Sequence, residues 1–202
     1  MGSRDRRAPP SSPKARRLCP GKESPANIVL TGFMGSGKSS VGRSLARLLG
    51  WRFRDLDSVI AKRAGMGVAA LFARRGEKAF REMERRAISA LRYGRGTVVA
   101  TGGGAPMRAL NRAMLRRAGL VVYLKVAPSV LARRLGTGRG RPLLRSAGGD
   151  RRKVETLVRG LLRKRSRHYM RADLVFAGGR GTPAAEARSL ARILRARYPG
   201  GL

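Results

Sequence analysis

The sequence predicts an α/β protein: a five-stranded parallel sheet, doubly wound, with helices covering both faces in three layers. Three observations predict it. Short apolar runs alternate with stretches of helical period from Asn27 onward, the rhythm of strand–helix units whose strands are buried on both sides. A run of the form G-x-x-x-x-G-K-[ST] stands directly between the first apolar run and the first helical stretch, where such a turn belongs. Finally, no internal repeat is present to suggest a solenoid or propeller.

Taken in order, Met1 to Ala26 mixes Arg, Pro and Ser without an apolar period. Such a segment cannot bury enough surface to offset its ordering entropy, so residues 1–26 are expected to be a disordered basic leader and residues 27–202 one domain. Pro9, Pro10, Pro13 and Pro20 break any amphipathic helix of the transit-peptide kind there. Asn27-Ile28-Val29-Leu30 reads as the first strand, Lys38 to about Leu49 as a helix, and Trp51-Arg52-Phe53-Arg54 as the second strand. A helix begins near Val59, with Asp57 or Ser58 available to cap it. Glu77 to Tyr93 has helical spacing, Thr97-Val98-Val99-Ala100 is a buried strand, and Asn111 to Ala118 is helical. The strand Leu120-Val121-Val122-Tyr123-Leu124 follows, then a helix from Pro128 to Leu135. Residues 136–150 carry Gly, Arg and Pro with no period and are expected to form a mobile loop. A helix to about Tyr169, a strand at Leu174-Val175-Phe176 and a helix opening near Pro183 complete the chain.

Composition narrows the function classes. At 202 residues with 42% hydrophobic content the chain suits one ordinary domain. No window approaches the ~18 apolar residues of a membrane span, so a soluble protein with no membrane partner is expected. The single cysteine, Cys19, excludes an intrachain disulfide and a Cys-rich zinc site and fits a reducing cytoplasm. Lys and Arg number 46 against 11 Asp and Glu, a formal charge of +35. Such a surplus attracts polyanions, yet the cations are spread along the chain and aromatics are 5%, leaving few stacking platforms. Solvated, arginine-rich helix faces are the expected reading, nucleic acid is not an expected partner, and small anionic substrates fit equally well.

Gly32-Phe33-Met34-Gly35-Ser36-Gly37-Lys38-Ser39 carries the phosphate chemistry. Backbone amides of Gly35, Ser36, Gly37, Lys38, Ser39 and Ser40 can curl around phosphates at a helix N-terminus, Lys38 can reach the β and γ phosphates, and the Ser39 hydroxyl can ligate Mg²⁺. Lys38 is expected to face solvent until phosphate arrives. The chain lacks N-K-x-D for guanine and an apolar strand ending in an acidic pair, which favours small-molecule kinases over switches and motors. Asp55 and Asp57 follow the second strand, at the sheet edge where the phosphate loop also lies; one carboxylate can hold a metal and the other can orient an attacking hydroxyl or take its proton. Arg81 and Glu84 are helical neighbours, so the acid can fix the guanidinium for a carboxylate ligand, although an exposed surface arginine has the same sequence. Thr101-Gly102-Gly103-Gly104 permits close approach to the backbone or is a plain loop. Arg139, Arg141 and Arg145 make the 136–150 loop either a lid that brings positive charge to phosphoryl groups or a basic surface loop.

The order of these motifs, with Leu71-Phe72, Gly76-Glu77, Phe80-Arg81, Glu84, Gly102-Gly103-Gly104, Arg141-Pro142-Leu143-Leu144, Lys164-Arg165 and Tyr169, resembles the shikimate kinase family, within the nucleoside-monophosphate-kinase-like P-loop folds. The resemblance runs from about Ile28 to Pro183. It implies strand order 2-3-1-4-5, ATP with Mg²⁺, and phosphorylation of the shikimate 3-hydroxyl in aromatic amino-acid biosynthesis. It implies that Ser39 and Asp55 serve the metal and Asp57 the shikimate hydroxyls, that Arg81 and Arg165 take the carboxylate, and that Gly102, Gly103 and Gly104 lend backbone. By the same resemblance Phe72 and Phe80 wall the substrate pocket, Arg141 joins Lys38 on the phosphates, and Arg134 and Arg180 lie by the nucleotide. Arg180-Gly181-Thr182-Pro183 is one residue longer than the family's Arg-x-Pro. A monomer is expected. A gluconate-type sugar-acid kinase and a basic nucleic-acid-binding ATPase are the alternatives.

Overall fold

The computed structural model describes residues 24–137, 142–200 and 202. Its strands are β1 (Asn27–Thr31), β2 (Arg52–Asp55), β3 (Thr97–Ala100), β4 (Leu120–Lys125) and β5 (Leu174–Ala177). All neighbours pair in parallel in the order β2-β3-β1-β4-β5. β1 is central and buried throughout, its apolar Ile28-Val29-Leu30 centre flanked by buried polar Asn27 and Thr31, whereas the edge strands β2 and β5 keep exposed positions.

Successive β1 side chains leave on opposite faces. Ile28 and Leu30 pack with Val41 and Leu45 of α1 (Lys38–Leu49) and with Leu190 and Leu194 of α7 (Pro183–Arg197). Val29 packs on the other face with Leu56 and Ile60 of α2 (Leu56–Ala64), with Leu71, Phe80 and Ile88 of α3 (Val68–Ser89), and with Leu115 of α4 (Ala109–Ala118). A third cluster joins Phe33 and Tyr123 to α5 (Pro128–Leu135) and α6 (Arg151–Tyr169) through Leu131, Leu135, Val154, Val158 and Tyr169. The three layers and the strand order agree with expectation. Among the described residues no helix is long and apolar enough to cross a membrane.

Several boundaries differ from the sequence reading for local reasons. β2 starts at Arg52 because the Trp51 amide closes α1, donating to the Ala46 carbonyl at 2.8 Å. α2 starts at Leu56 and its cap is Asp55, not Asp57 or Ser58: the Asp55 carboxylate accepts from the amides of Asp57 (3.1 Å) and Ser58 (3.4 Å). α3 begins at Val68 instead of Glu77, interrupted by Gly76 at φ 74°, ψ 174°, a conformation that breaks the helical period in the text. The helical spacing assigned to 90–93 belongs to a 3₁₀ turn. Residues 142–147 form another 3₁₀ turn inside the segment read as loop. Of the leader, residues 1–23 lie outside the described residues, while the Ala26 carbonyl already accepts from the Gly96 amide at 2.8 Å.

The amino-terminal edge of the sheet is tied by one side chain. Asn27, 2% exposed, donates from Nδ2 to the carbonyls of Gly94 (2.7 Å) and Ala118 (2.8 Å), and its Oδ1 accepts from the Thr97 amide (3.2 Å). It satisfies three backbone groups where β3 and β4 begin. Asn27→Ala should therefore lower unfolding free energy by about 2–4 kcal/mol with an unchanged denaturant slope. Asn27→Asp should be similarly destabilised because a carboxylate cannot donate; urea titration of either variant checks this.

Candidate active site

The phosphate loop joins β1 to α1 at the carboxyl edge of the sheet. Gly37 caps α1 in the left-handed region (φ 89°), with no side-chain cap and no acid in the first turn, so the helix presents amides and a positive dipole end to an anion. Lys38 does not extend into solvent as expected. It is half-buried and donates from Nζ to the carbonyls of Gly32 (3.0 Å) and Phe33 (2.9 Å), with the Ser36 hydroxyl at 3.4 Å. The loop's own carbonyls thus hold the ammonium beside the place a phosphate would take. Ser36 is buried beneath the loop, and Ser40 lies at its exposed edge.

Next to the loop, Ser39 Oγ donates to Asp55 Oδ2 at 2.6 Å while Asp55 Oδ1 caps α2. Two hard oxygen donors therefore meet at the start of α1. Among the described residues no group of three or more His, Cys, Asp or Glu could enclose a metal. The pair fits Mg²⁺, which takes one or two protein oxygens and fills its octahedron with water and phosphate oxygens.

A cavity of about 590 Å³ opens over this loop. Its walls include Gly35, Gly37, Lys38, Ser39, Ser40, Asp55, Asp57, Gly103 and Arg134. Arg134 reaches across from α5 and donates to the Gly35 carbonyl at 3.3 Å. Arg180 is exposed and is not part of this wall; Gly181, Pro183 and Glu186 are. Glu186, buried in the first turn of α7, accepts from the amides of Gly179 (2.6 Å) and Gly181 (3.4 Å) and so shapes that side. The sequence reading missed it; the available signal was an acid four residues after the capping Thr182. Arg139 and Arg141 lie outside the described residues, as does the Arg145 side chain.

A second cleft of about 440 Å³ adjoins the first. It is lined by Asp57, Phe72, Phe80, Arg81, Glu84, Gly102, Gly103, Gly104 and Arg165, with Met34, Val68, Ala69, Glu77 and Leu143 unforeseen. Met34, Asp57 and Gly103 belong to both cavities. Phe72 and Phe80 pack at 4.6 Å between centroids, and the Arg81 guanidinium lies 5.3 Å over the Phe80 ring. Glu84 accepts from Arg81 Nη1 at 3.0 Å, and Glu77 accepts from Nε at 3.1 Å. The fork is held from two sides, by Glu84 as the helical spacing implied and by Glu77 in addition. Arg165 comes from α6, its guanidinium 5.8 Å above the Phe33 ring.

The three glycines are close-approach positions, and the approaching groups are the protein's own. A Cβ on Gly102 would stand 2.7 Å from Asp57 Oδ1, and one on Gly104 would stand 2.8 Å from Arg81 Nη1. Burial pushes the Asp57 carboxyl above its ordinary range, reinforced by Asp55 and opposed by Lys38 and Arg81. Burial also raises Glu84, opposed chiefly by Arg81.

Comparison with known proteins agrees with this geometry. The shikimate kinase family profile matches residues 34–195. A shikimate kinase of Moorella thermoacetica is 43% identical over 172 residues, 85% of this chain and 96% of its own length. One of Geobacter sulfurreducens is 49% identical over 148 residues, 73% of this chain and 79% of its own. The solved structure of a shikimate kinase from Acinetobacter baumannii in complex with shikimate superposes with a TM-score of 0.78 at 34% identity, covering 86% of this chain and 94% of that one. With its five-stranded order, phosphate loop and paired cavities, the chain belongs to the shikimate kinase family.

Proposed function

We propose that this chain transfers the γ-phosphoryl of ATP to the 3-hydroxyl of shikimate, a step of aromatic amino-acid biosynthesis. The observation that carries the reading is Asp57, which lies on the shared wall of the phosphate-loop cavity and the arginine-lined cleft. The phosphate-loop amides and Lys38 hold the nucleotide's terminal phosphates, with Arg134 beside the loop. Across the shared wall, Arg81 and Arg165 grip the acid's carboxylate through charge-assisted bonds, while Phe72 and Phe80 pack on its ring. That grip turns the alcohol toward Asp57, whose carboxylate accepts the hydroxyl hydrogen bond and takes the proton as the phosphoryl leaves ATP. Bound Mg²⁺, held by Ser39 and Asp55, would neutralise charge on the β and γ phosphate oxygens. By the family resemblance, Arg141 is the residue that would add positive charge on the phosphates. The reaction is assigned to a monomer in the cytoplasm. The curated relatives favour shikimate over gluconate as acceptor, and a coupled assay with each acid tests that choice.

Three variants test the roles. Lys38→Ala should keep the fold, read by circular dichroism, and lose turnover by roughly a hundredfold or more. Arg81→Ala should raise the shikimate KM by roughly 30- to 100-fold with the ATP KM nearly unchanged, the loss expected of a charge-assisted bidentate contact.

Asp57 gives a signed pH dependence. Its ionised form is the active one and burial raises its pKa, so the acid limb of kcat/KM should lie above the ordinary 3.8 of an aspartate. Asp57→Asn should lower kcat by roughly 10²–10⁴-fold and remove that limb. The same shift works against stability. As pH rises from 3.8 through the raised native value, the unfolded chain gives up a proton the native chain still holds, so stability falls and the deficit persists at neutral pH. Asp57→Asn should therefore melt at a higher temperature than wild type at pH 7, with the gain vanishing near pH 3, as scanning calorimetry can determine.

A further inference from the structure

We infer that Tyr169 is a positioning residue for acid binding, its hydroxyl fixing the part of α6 that carries Arg165 against the Gly102–Gly104 turn. The inference rests on the phosphoryl-transfer reading above and adds to it a residue with no place in the two cavities' chemistry.

Tyr169 is fully buried near the end of α6, with its ring stacked on Tyr123 at 5.1 Å between centroids. Its hydroxyl donates to the Gly103 carbonyl at 2.6 Å, across 66 positions of sequence. Arg165 lies four residues earlier, one helical turn away on the same face, and its guanidinium neighbours the Tyr169 hydroxyl. Burial raises the phenol to about 12, partly offset by Arg165, so the donor keeps its proton throughout the working pH range. Gly103 also lies against the phosphate loop: a Cβ there would lie 3.4 Å from the Gly32 carbonyl oxygen, 3.5 Å from the Met34 amide and 3.7 Å from the Tyr169 hydroxyl.

One hydroxyl therefore sets the distance between the helix bearing Arg165 and the turn against which Arg81 and Asp57 pack. Two guanidinium groups on separate helices grip one carboxylate well only at a fixed separation, because bidentate bonding is directional. Deleting the hydroxyl also leaves the Gly103 carbonyl without this donor.

The experiment uses the full chain. Wild-type turnover on shikimate is measured first and by itself tests the substrate reading; the inference is scored on ratios to wild type. Tyr169→Phe should raise the shikimate KM roughly tenfold and leave the ATP KM within about twofold. In an Arg165→Ala background Tyr169→Phe should have no further effect on the shikimate KM, since it acts through that arginine. Tyr123→Phe, which alters the same stack without touching Gly103, should leave the shikimate KM at its wild-type value. An unchanged shikimate KM in Tyr169→Phe, equal rises for both substrates, or multiplicative effects in the double variant would overturn the inference. Should Tyr169→Phe not fold, a polyfluorinated tyrosine at 169 retains the ring and lowers the phenol pKa. The shikimate KM should then climb with pH as the donor proton is lost, and a flat profile counts against the inference.

Discussion

A turn with no room for side chains governs how the reacting partners are brought together. At Gly102 and Gly104 even a methyl group would collide with Asp57 and with the Arg81 guanidinium. Three glycines at the end of β3 thus let an acid from the β2 edge and an arginine from α3 press against one stretch of backbone. That shared surface places a carboxylate on the wall common to the two cavities and a guanidinium on the wall of the second. The phosphate loop meets the same turn at Gly103, so the two cavities are registered to each other through backbone, which transmits position more rigidly than long side chains do.

The charge surplus makes sense against this background. With 46 cations to 11 acids, most arginines have no carboxylate to meet, and the acids that exist are placed with economy. Asp55 caps α2 and holds Ser39, Asp150 caps α6, Asp173 accepts from the Val121 amide at the root of β4, and Glu186 organises the turn before α7. Glu77 and Glu84 hold the Arg81 guanidinium. Exposed pairs such as Glu155 with Arg159 add little, since water screens them. The acids that cap a helix or hold Arg81 act where a single negative charge sets the direction of a guanidinium or the start of a helix.

Much of this was legible in the sequence because its signals are local. The strand and helix text fixed the five strands and most helices to within a residue or two, and the phosphate loop stood out because its glycines and lysine carry chemistry at fixed spacing. Gly76 shows where local reading stops: a helix-breaking conformation at one residue hid the first two turns of α3, and with them Val68 and Ala69, which line the second cleft. Asp55 shows the same limit in another form. A residue can cap a helix with one oxygen and hold a serine with the other, and no spacing rule divides the two uses. Arg180 was placed by resemblance, whereas the wall it was expected to join is built by its neighbours, because Glu186 folds the turn so that Gly181 faces inward.

Function and stability occupy opposite ends of the same sheet. At the carboxyl edge, burial holds Asp57 and Glu84 at raised pKa values, a standing cost of keeping carboxylates partly desolvated in a cleft. At the amino edge, Asn27 ties β1 to the starts of β3 and β4, and the amide and carbonyl of Val121 pair with the Asp173 carboxylate and amide. These bonds engage backbone groups and require no titratable group to be kept in an unfavourable state, apart from one partly exposed aspartate. A parallel sheet separates its two edges by the length of its strands, so strain concentrated at one edge can be offset by hydrogen bonding at the other without either disturbing the geometry of its counterpart. The buried run of β1 links the two edges, its apolar Ile28-Val29-Leu30 centre standing between polar Asn27 and Thr31.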